Sequence, residues 1–118
     1  MKLTFIKCHG SGNDFLLLDE YTAHISLSED DRAKMAAVLC SRDTGIGADG
    51  ILFFQKSDCA DGKMRVFNAD GTEASMCGNG LRCVVRYASE LLSVQKMKIE
   101  TMKAVLSCET TEDIHPGI

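Results

Sequence analysis

The spacing of hydrophobic residues predicts one long amphipathic helix in the second half of the chain. Between residues 81 and 92, apolar or small side chains recur every three or four positions, which places them on one side of a helix. Arg82, Arg86 and Glu90 follow one another at i, i+4 steps on another side, which we expect to face solvent or a partner domain. We predict that the apolar side packs into the core. The residues on the apolar side are Leu81, Val84, Val85, Ala88, Leu91 and Leu92.

Shorter apolar runs predict strands before and after this helix. Each run is bounded by polar residues or turn formers, as between residues 54 and 63, where Asp61 and Gly62 signal a hairpin or short loop. Ser28 followed by three acidic residues predicts the start of another helix, with Met35, Val38 and Leu39 on its buried side. The predicted strands are residues 3–9, 15–19, 51–54, 63–68, 97–101 and 104–108.

These elements predict an α+β fold in which a curved mixed β-sheet wraps the central helix. Short strands, linked mostly by turns, accompany one long helix of broad apolar character. With 118 residues, of which 45% are hydrophobic, the chain can build the core of one domain, residues 1–118. Residues 110–118 read as a polar tail. The chain shows no internal repeat and no low-complexity linker.

The start of the central helix carries the most distinctive chemistry. Cys77, Gly78, Asn79 and Gly80 form its first turn, where backbone N–H groups lack a partner within the helix and a partial positive charge faces outward. Such an end can hold an anion and favours the thiolate form of a cysteine, and glycines let a ligand approach the backbone. Alternatively, Cys77 is a buried structural cysteine in a loop that is glycine-rich because it turns. Glycine and asparagine weaken a helix start unless the exposed backbone is used, which favours the first interpretation.

Composition narrows the classes of partner. A net charge of −4 and the absence of a basic cluster give no reason to expect nucleic acid. The N-terminal segment lacks the apolar run of a signal peptide, and no stretch has the length of a membrane span, so we expect a cytoplasmic protein without a membrane partner. The six cysteines show neither CxxC spacing nor a secretory context. We therefore expect no zinc site and interpret Cys8, Cys40, Cys83 and Cys108 as small hydrophobic residues.

Residues 45–50 (GIGADG) match the GxGxxG pattern without its structural context. A dinucleotide-binding fingerprint follows a strand and opens a helix, whereas this loop precedes the predicted strand at residues 51–54. We reject a nucleotide-binding role for it.

Four ordered motifs resemble the diaminopimelate epimerases, which interconvert stereoisomers of 2,6-diaminopimelate without a cofactor on the bacterial route to lysine and peptidoglycan precursors. The motifs are residues 9–15 (HGSGNDF), 44–50 (TGIGADG), 65–71 (RVFNADG) and 76–83 (MCGNGLRC). Related racemases that act on proline-type substrates usually have histidine where Asn79 stands, so Asn79 favours the diaminopimelate branch. The resemblance extends across most of the chain.

The resemblance implies a role for each candidate site residue. Cys77 would be one of two cysteines that exchange the substrate α-proton on opposite faces, and Asn13 and Asn68 would donate to a substrate carboxylate. Gly78, Asn79 and Gly80 would bind substrate at the helix start. From the residues alone, Asn13 closes a hairpin and Asn68 closes a turn. Some relatives contact substrate through a glutamine at the position of Gly50, a contact that this chain does not carry over.

The resemblance also implies that a C-terminal half is absent from this chain. That half would supply the second cysteine, the far wall of the active-site cleft and a final strand that returns to this domain, so we expect the 118 residues alone to be inactive. The sequence leaves open a homodimer and two other functions. One is a proline-racemase-like or other small-acid isomerase of the same fold, and the other is a non-catalytic carboxylate-binding half-domain.

Overall fold

A computed structural model of the chain describes residues 4–10, 12–23 and 27–110. The predicted strand residue Leu3 and the predicted tail beyond Thr110 lie outside these ranges. Both predicted helices and all six predicted strands are confirmed within the described ranges, with one short additional strand. The elements are β1 (Phe5–Gly10), β2 (Asn13–Asp19), α1 (Glu29–Leu39), β3 (Gly50–Gln55), β4 (Gly62–Asn68), β5 (Glu73–Ala74), α2 (Gly78–Leu92), β6 (Lys96–Glu100) and β7 (Val105–Glu109).

The described strands form one mixed sheet in the order β1-β2-β3-β4-β6-β7, with β5 paired to β4 outside this sequence of neighbours. The β2/β3 and β4/β6 pairs are parallel, and the other pairs are antiparallel. Parallel neighbours need crossover connections, and α1 and α2 provide them. The fold is therefore the predicted α+β domain with an open, curved mixed sheet.

The two helices cover opposite faces of the sheet, which explains why β2 and β3 read as continuous apolar runs. Alternate side chains of these strands point to opposite faces. Phe15 and Leu17 of β2 pack towards α2, while Leu16 and Leu18 pack towards α1. The α2 core also contains Leu52, Phe54, Met64, Val66, Met97 and Ile99. The α1 core contains Ile51, Phe53, Phe67, Ala36, Cys40 and Ala48.

The central helix α2 buries most of its predicted apolar stripe. Val84, Val85 and Ala88 lie in the core, together with Cys83 and Gly80. The prediction for Leu91 is wrong: this residue lies in the last turn of the helix, and its side chain is exposed. Arg82, Arg86 and Glu90 are exposed, as predicted. The helix ends at Ser93, which adopts a left-handed conformation (φ 55°) and donates its N–H to Ser89.

Helix α1 begins as predicted, and its predicted buried side is confirmed in part, since Met35 and Leu39 pack, partly buried, against the α1 core. Ser28 and Asp31 form a reciprocal capping box, each side chain accepting from the other residue's backbone N–H. The predicted buried residue Val38 is 61% exposed, whereas Arg32 and Ala36 are buried. The guanidinium of Arg32 lies over the Phe53 ring and pairs with Glu20 at 2.6 Å. A buried arginine replaces the hydrophobic residue that periodicity would place there.

Neither helix in the described part of the chain combines the length and the apolar character that a membrane-spanning segment requires.

Candidate functional site

The predicted site residues gather at one end of the sheet. Asn13 opens β2, Gly50 opens β3 and Asn68 closes β4. In the strand register Phe15 pairs with Gly50, and Gly50 pairs with Asn68. Because β2 is parallel and β4 antiparallel to β3, these three strand ends lie at the same end of the sheet. The first turn of α2 joins them through a 2.6 Å hydrogen bond from the Asn79 amide to Asn13 Oδ1.

Cys77 occupies the N-cap position of α2. Its backbone is extended (φ −148°, ψ 110°), and its carbonyl accepts from the Leu81 N–H at 2.8 Å. Serine or aspartate at an N-cap usually accepts a hydrogen bond from the first turn, but the Cys77 side chain makes no such capping bond. The thiol is half-buried and packs against the α2 core. Cys77 therefore lies beside the unpaired N–H groups of the helix start without consuming them.

The two glycines after Cys77 serve different purposes. A Cβ at Gly80 would lie 2.7 Å from Leu52 Cδ2 and 3.6 Å from Cys77 Sγ, so a larger residue would displace either the Leu52 side chain or the helix start. Gly78 is exposed, and a Cβ there would meet no atom within 4 Å. Its backbone is open to a ligand. Gly80 thus holds the helix start against the sheet, while Gly78 leaves room in front of it.

A chain of hydrogen bonds orients the two amides at the site. The Asn79 amide donates to Asn13 Oδ1 at 2.6 Å, and Asn13 Nδ2 donates to Asp49 Oδ2 at 3.2 Å. The Asp14 backbone N–H donates to the same Asp49 oxygen at 3.0 Å. This chain joins the start of α2, the β1–β2 hairpin and the loop before β3. The hairpin itself turns through Gly12, which needs a positive φ of 94°.

The carboxylates of Asp14 and Asp49 and the guanidinium of Arg42 form a cluster of ion pairs next to these amides. Arg42 donates to Asp14 at 3.0 Å and to Asp49 at 3.2 Å, and Lys7 lies 3.6 Å from Asp14. The hydrogen bond with Arg42 holds the pKa of the Asp14 carboxyl well below its usual range. Sequence reasoning assigned no role to Arg42 or Asp49. Asp14 and Asp49 do stand inside two of the four motifs, but only the fold shows that they meet.

The Asn68 amide lies in a tight turn after β4. Its Nδ2 donates to Thr72 Oγ1 at 3.1 Å, its backbone N–H donates to the Thr72 carbonyl, and its carbonyl accepts from Gly71. Turn closure, one of the two roles considered from the sequence, is thus present. An amide nitrogen carries two hydrogens, and the bond to Thr72 uses one of those of Asn68 among the residues that the structure describes.

The glycine-rich loop at residues 45–50 lies between α1 and β3. A Cβ at Gly50 would come 2.7 Å from the Phe67 carbonyl oxygen, so the glycine allows β3 and β4 to approach at this end. A glutamine would require a backbone shift. The loop leads into a strand and opens no helix, which is the wrong order for a dinucleotide fingerprint.

The other described features do not form a competing site. Within the described ranges, no group of three or more histidine, cysteine or acidic side chains is arranged to hold a metal ion. A groove of about 810 Å³ runs between the outer face of α2 and the edge strand β7. It begins at Leu81 and contains neither Cys77 nor any asparagine. The groove and the predicted site residues therefore do not overlap.

Most of the other cysteines are held as neutral thiols. Burial, together with a hydrogen bond to Cys83, raises the pKa of Cys8 to about 12. Burial also raises the pKa of Cys40 and of Cys108. Cys83 is buried in the α2 core, and Cys59 is exposed in the loop between β3 and β4. Exposure alone would therefore make Cys59 the most reactive thiol.

We predict that iodoacetamide modifies Cys77 before Cys59, although Cys59 is the more exposed. Unpaired N–H groups at a helix start in general favour a negatively charged group there, and alkylation proceeds through the anionic form of a cysteine. Peptide mapping after brief treatment of the folded chain measures the order, and the same treatment in urea gives the rates without the fold. Faster modification of Cys59 in the folded chain, with Cys77 inert, would contradict an activated Cys77.

Known proteins share both the sequence and the fold of this chain. A family model described as diaminopimelate epimerase matches residues 5–118. The diaminopimelate epimerase of Clostridium acetobutylicum is 51% identical over 118 residues, covering all of this chain and 35% of that protein. That of Archaeoglobus fulgidus is 42% identical over 114 residues, covering 96% of this chain and 40% of that protein. The chain thus spans well under half the length of these relatives.

Solved structures of lower identity share the architecture. A phenazine biosynthesis protein of the PhzF family from Bacillus anthracis superimposes with a TM-score of 0.69 at 22% identity, covering 96% of this chain and 38% of that one. A PhzF-family protein from Enterococcus faecalis gives 0.58 at 19% identity, covering 93% and 41%. These likenesses concern the fold alone. The match of the family model over nearly the whole sequence, together with 51% identity to the C. acetobutylicum epimerase, shows that this chain belongs to the diaminopimelate epimerase family.

Proposed function

We propose that this chain supplies one half of the active site of a cofactor-independent isomerase that interconverts LL- and meso-2,6-diaminopimelate. The reaction would serve lysine and peptidoglycan-precursor biosynthesis. One observation carries the proposal: in a chain of this family, Cys77 occupies the N-cap of a helix with open backbone at Gly78, and Asn79 of the same first turn bonds to Asn13. We infer the substrate, diaminopimelate, from the names of the relatives, and the proton-transfer chemistry from the residues of the site.

The site suits removal of a proton from the α-carbon of an amino acid. When a base takes this proton, negative charge spreads onto the adjacent carboxylate, and donors aimed at that carboxylate stabilise the transition state more than the ground state. The N–H groups of Gly78, Asn79 and Gly80 and the Asn13 amide are such donors. Cys77, as a thiolate, would be the base. One helix start would therefore activate the thiol and hold the charge that forms.

Inversion requires a second acid on the opposite face of the α-carbon, and the other cysteines do not provide it. Cys83 lies on the inner side of α2, buried in the core. Cys8 packs in the same core as a neutral thiol. We therefore place the second cysteine, and the wall that excludes water, in a C-terminal half beyond these residues. The length of the relatives leaves room for such a half.

The alternative functions have less support. Identities of 42–51% to proteins named diaminopimelate epimerase, together with Asn79 at the helix start, argue against a proline-type isomerase. A non-catalytic carboxylate-binding half-domain would use the same amides but would have no need of Cys77. Proton exchange at the substrate α-carbon separates this function from the proposed one.

The experiment compares two proteins. The first is the 118-residue chain, and the second is a chimaeric polypeptide in which residues 1–118 replace the matching segment of the C. acetobutylicum epimerase. We expect the chimaera to convert LL- to meso-diaminopimelate and the chain alone to give no turnover. The chain lacks a second acid and leaves the substrate open to water. Equal rates for the two proteins, or a folded but inactive chimaera, would count against the proposal.

A further inference from the structure

We propose that Asp49 is a positioning residue that fixes which way the Asn13 and Asn79 amides face the substrate. Arg42 completes the device by neutralising the charge of Asp49 and Asp14 beside a site for an anion. The inference deepens the proposed function, on which it rests, by giving a role to residues behind the amides.

The direction of the hydrogen bonds follows from the carboxylate. An ionised carboxylate only accepts, so Asn13 must turn its Nδ2 to Asp49. The Asn13 Oδ1 then faces Asn79, which must present its own Nδ2, at 2.6 Å. Of the side-chain hydrogen bonds that join these two amides to other described residues, only the bond to Asp49 involves a group that cannot donate. One acceptor-only group therefore sets the orientation of both amides.

The carboxylate is itself held in place. The Asp14 N–H donates to Asp49 Oδ2 at 3.0 Å, and the Asp49 N–H donates to the Asp14 carbonyl at 2.9 Å. These two hydrogen bonds join the β1–β2 hairpin to the loop before β3. Asp49 therefore has a defined position relative to Asn13, which an exposed acidic side chain otherwise lacks.

Arg42 offsets the negative charge of Asp14 and Asp49. Two negative charges close to Asn13 would repel a substrate carboxylate. The Arg42 Nη2 lies 3.0 Å from Asp14 and 3.2 Å from Asp49, and Lys7 lies 3.6 Å from Asp14. The two cations balance the two anions. The site thus keeps the orienting effect of a carboxylate without presenting a net negative charge to an anionic ligand.

The test uses Asp49→Asn, which keeps the shape of the side chain but can offer either an acceptor or a donor. Asp61→Asn is the matched control, because Asp61 accepts a backbone N–H from Lys98 at 2.7 Å in the β3–β4 loop, at the other end of the sheet. The chain contains three asparagines, Asn13, Asn68 and Asn79, all of them site candidates. Labelling the folded chain with ¹⁵N-asparagine therefore reports on the site amides alone.

We expect Asp49→Asn to shift or broaden the side-chain amide signals of Asn13 and Asn79 and to leave those of Asn68 in place. The new residue contributes one further amide pair, so the four pairs are assigned individually before the comparison. Asp61→Asn should leave all three original pairs unchanged. Unchanged Asn13 and Asn79 signals in Asp49→Asn would overturn the positioning role, whatever the enzyme activity.

Kinetics of the chimaera test the consequence for the substrate. We expect Asp49→Asn to lower kcat/KM about tenfold or more, as the loss of one oriented hydrogen bond to a charged group predicts, and Asp61→Asn to leave it unchanged. If the unsubstituted chimaera is active and Asp49→Asn has the same kcat/KM, the inference is overturned and the proposed function stands. An inactive wild-type chimaera would instead count against the proposed function, while the amide spectra would still decide the role of Asp49.

Discussion

Replacement of Cys77 by alanine in the chimaera is expected to lower kcat/KM for diaminopimelate epimerisation by about 10³-fold or more. A positioned general base contributes roughly 10²–10⁴-fold to a rate, and here the same group would also act as the acid in the reverse direction. The thiol lies at the surface of the α2 core and makes no capping bond, so its loss should cost little stability. Steady-state assays in both directions measure the effect.

Cys59→Ala is the matched control, because Cys59 is an exposed thiol in the β3–β4 loop, at the other end of the sheet. It should leave kcat/KM unchanged. Circular dichroism of Cys77→Ala verifies that the variant is folded. A folded Cys77→Ala chimaera that retains more than about a tenth of wild-type kcat/KM would exclude Cys77 as the base.

Glu20→Ala is expected to lower the free energy of unfolding by about 3–5 kcal/mol, because it leaves the buried Arg32 charge without its partner. The side chains are only 6% and 9% exposed, and the Arg32 Nη2 lies 2.6 Å from Glu20 Oε1. The other Glu20 oxygen accepts from Gln55 at 3.0 Å, while Arg32 Nε has no hydrogen-bond partner. Urea unfolding of the chain, followed by circular dichroism, measures the change.

Glu29→Ala provides the comparison for an exposed pair. Glu29 also pairs with an arginine, Arg65, at 2.7 Å, but its side chain is 71% exposed. Exposed ion pairs contribute about 0–1 kcal/mol, so this variant should unfold close to wild type. Equal destabilisation by Glu20→Ala and Glu29→Ala would show that burial of the Arg32–Glu20 pair does not determine its effect.

The sequence predicted the features that arise from local patterns. Apolar runs in β2 and β3 and the one-sided stripe of α2 reflect burial directly, so the strands, the central helix and the α+β class are confirmed. The start of α1 was predicted from Ser28 and the acidic residues after it, which include Asp31. The short strand β5 was not predicted, because its two residues, Glu73 and Ala74, are too few to show an alternating pattern of apolar and polar side chains.

The buried side of α1 was found only in part from periodicity, which named Met35 and Leu39 but not Arg32. Arg32 occupies a core position because Glu20, twelve residues earlier, and the Phe53 ring receive its guanidinium. Such partners are set by tertiary structure. The apolar residue Val38, in contrast, faces outward near the end of the helix.

The candidate site was predicted in part. Asn13, Asn68 and the first turn of α2 were named from motifs, and the structure brings them to one end of the sheet. Asp49 and Arg42 were not assigned roles, because their contacts with Asp14 cross 35 and 28 residues of sequence. A motif signals that a residue is present, but only the fold shows which side chain it orients.

The most direct test of two-base exchange at Cys77 is the isotope content of the product in heavy water. The chimaera is supplied with protonated LL-diaminopimelate in D₂O, and the meso product and remaining substrate are analysed at low conversion by mass spectrometry. If Cys77 and a second acid act on opposite faces, each product molecule gains one solvent deuterium at the inverted carbon, and unreacted substrate stays protonated. Product that retains the substrate's own hydrogen, together with deuterium in the remaining substrate, would contradict the account and indicate a single base acting on both faces.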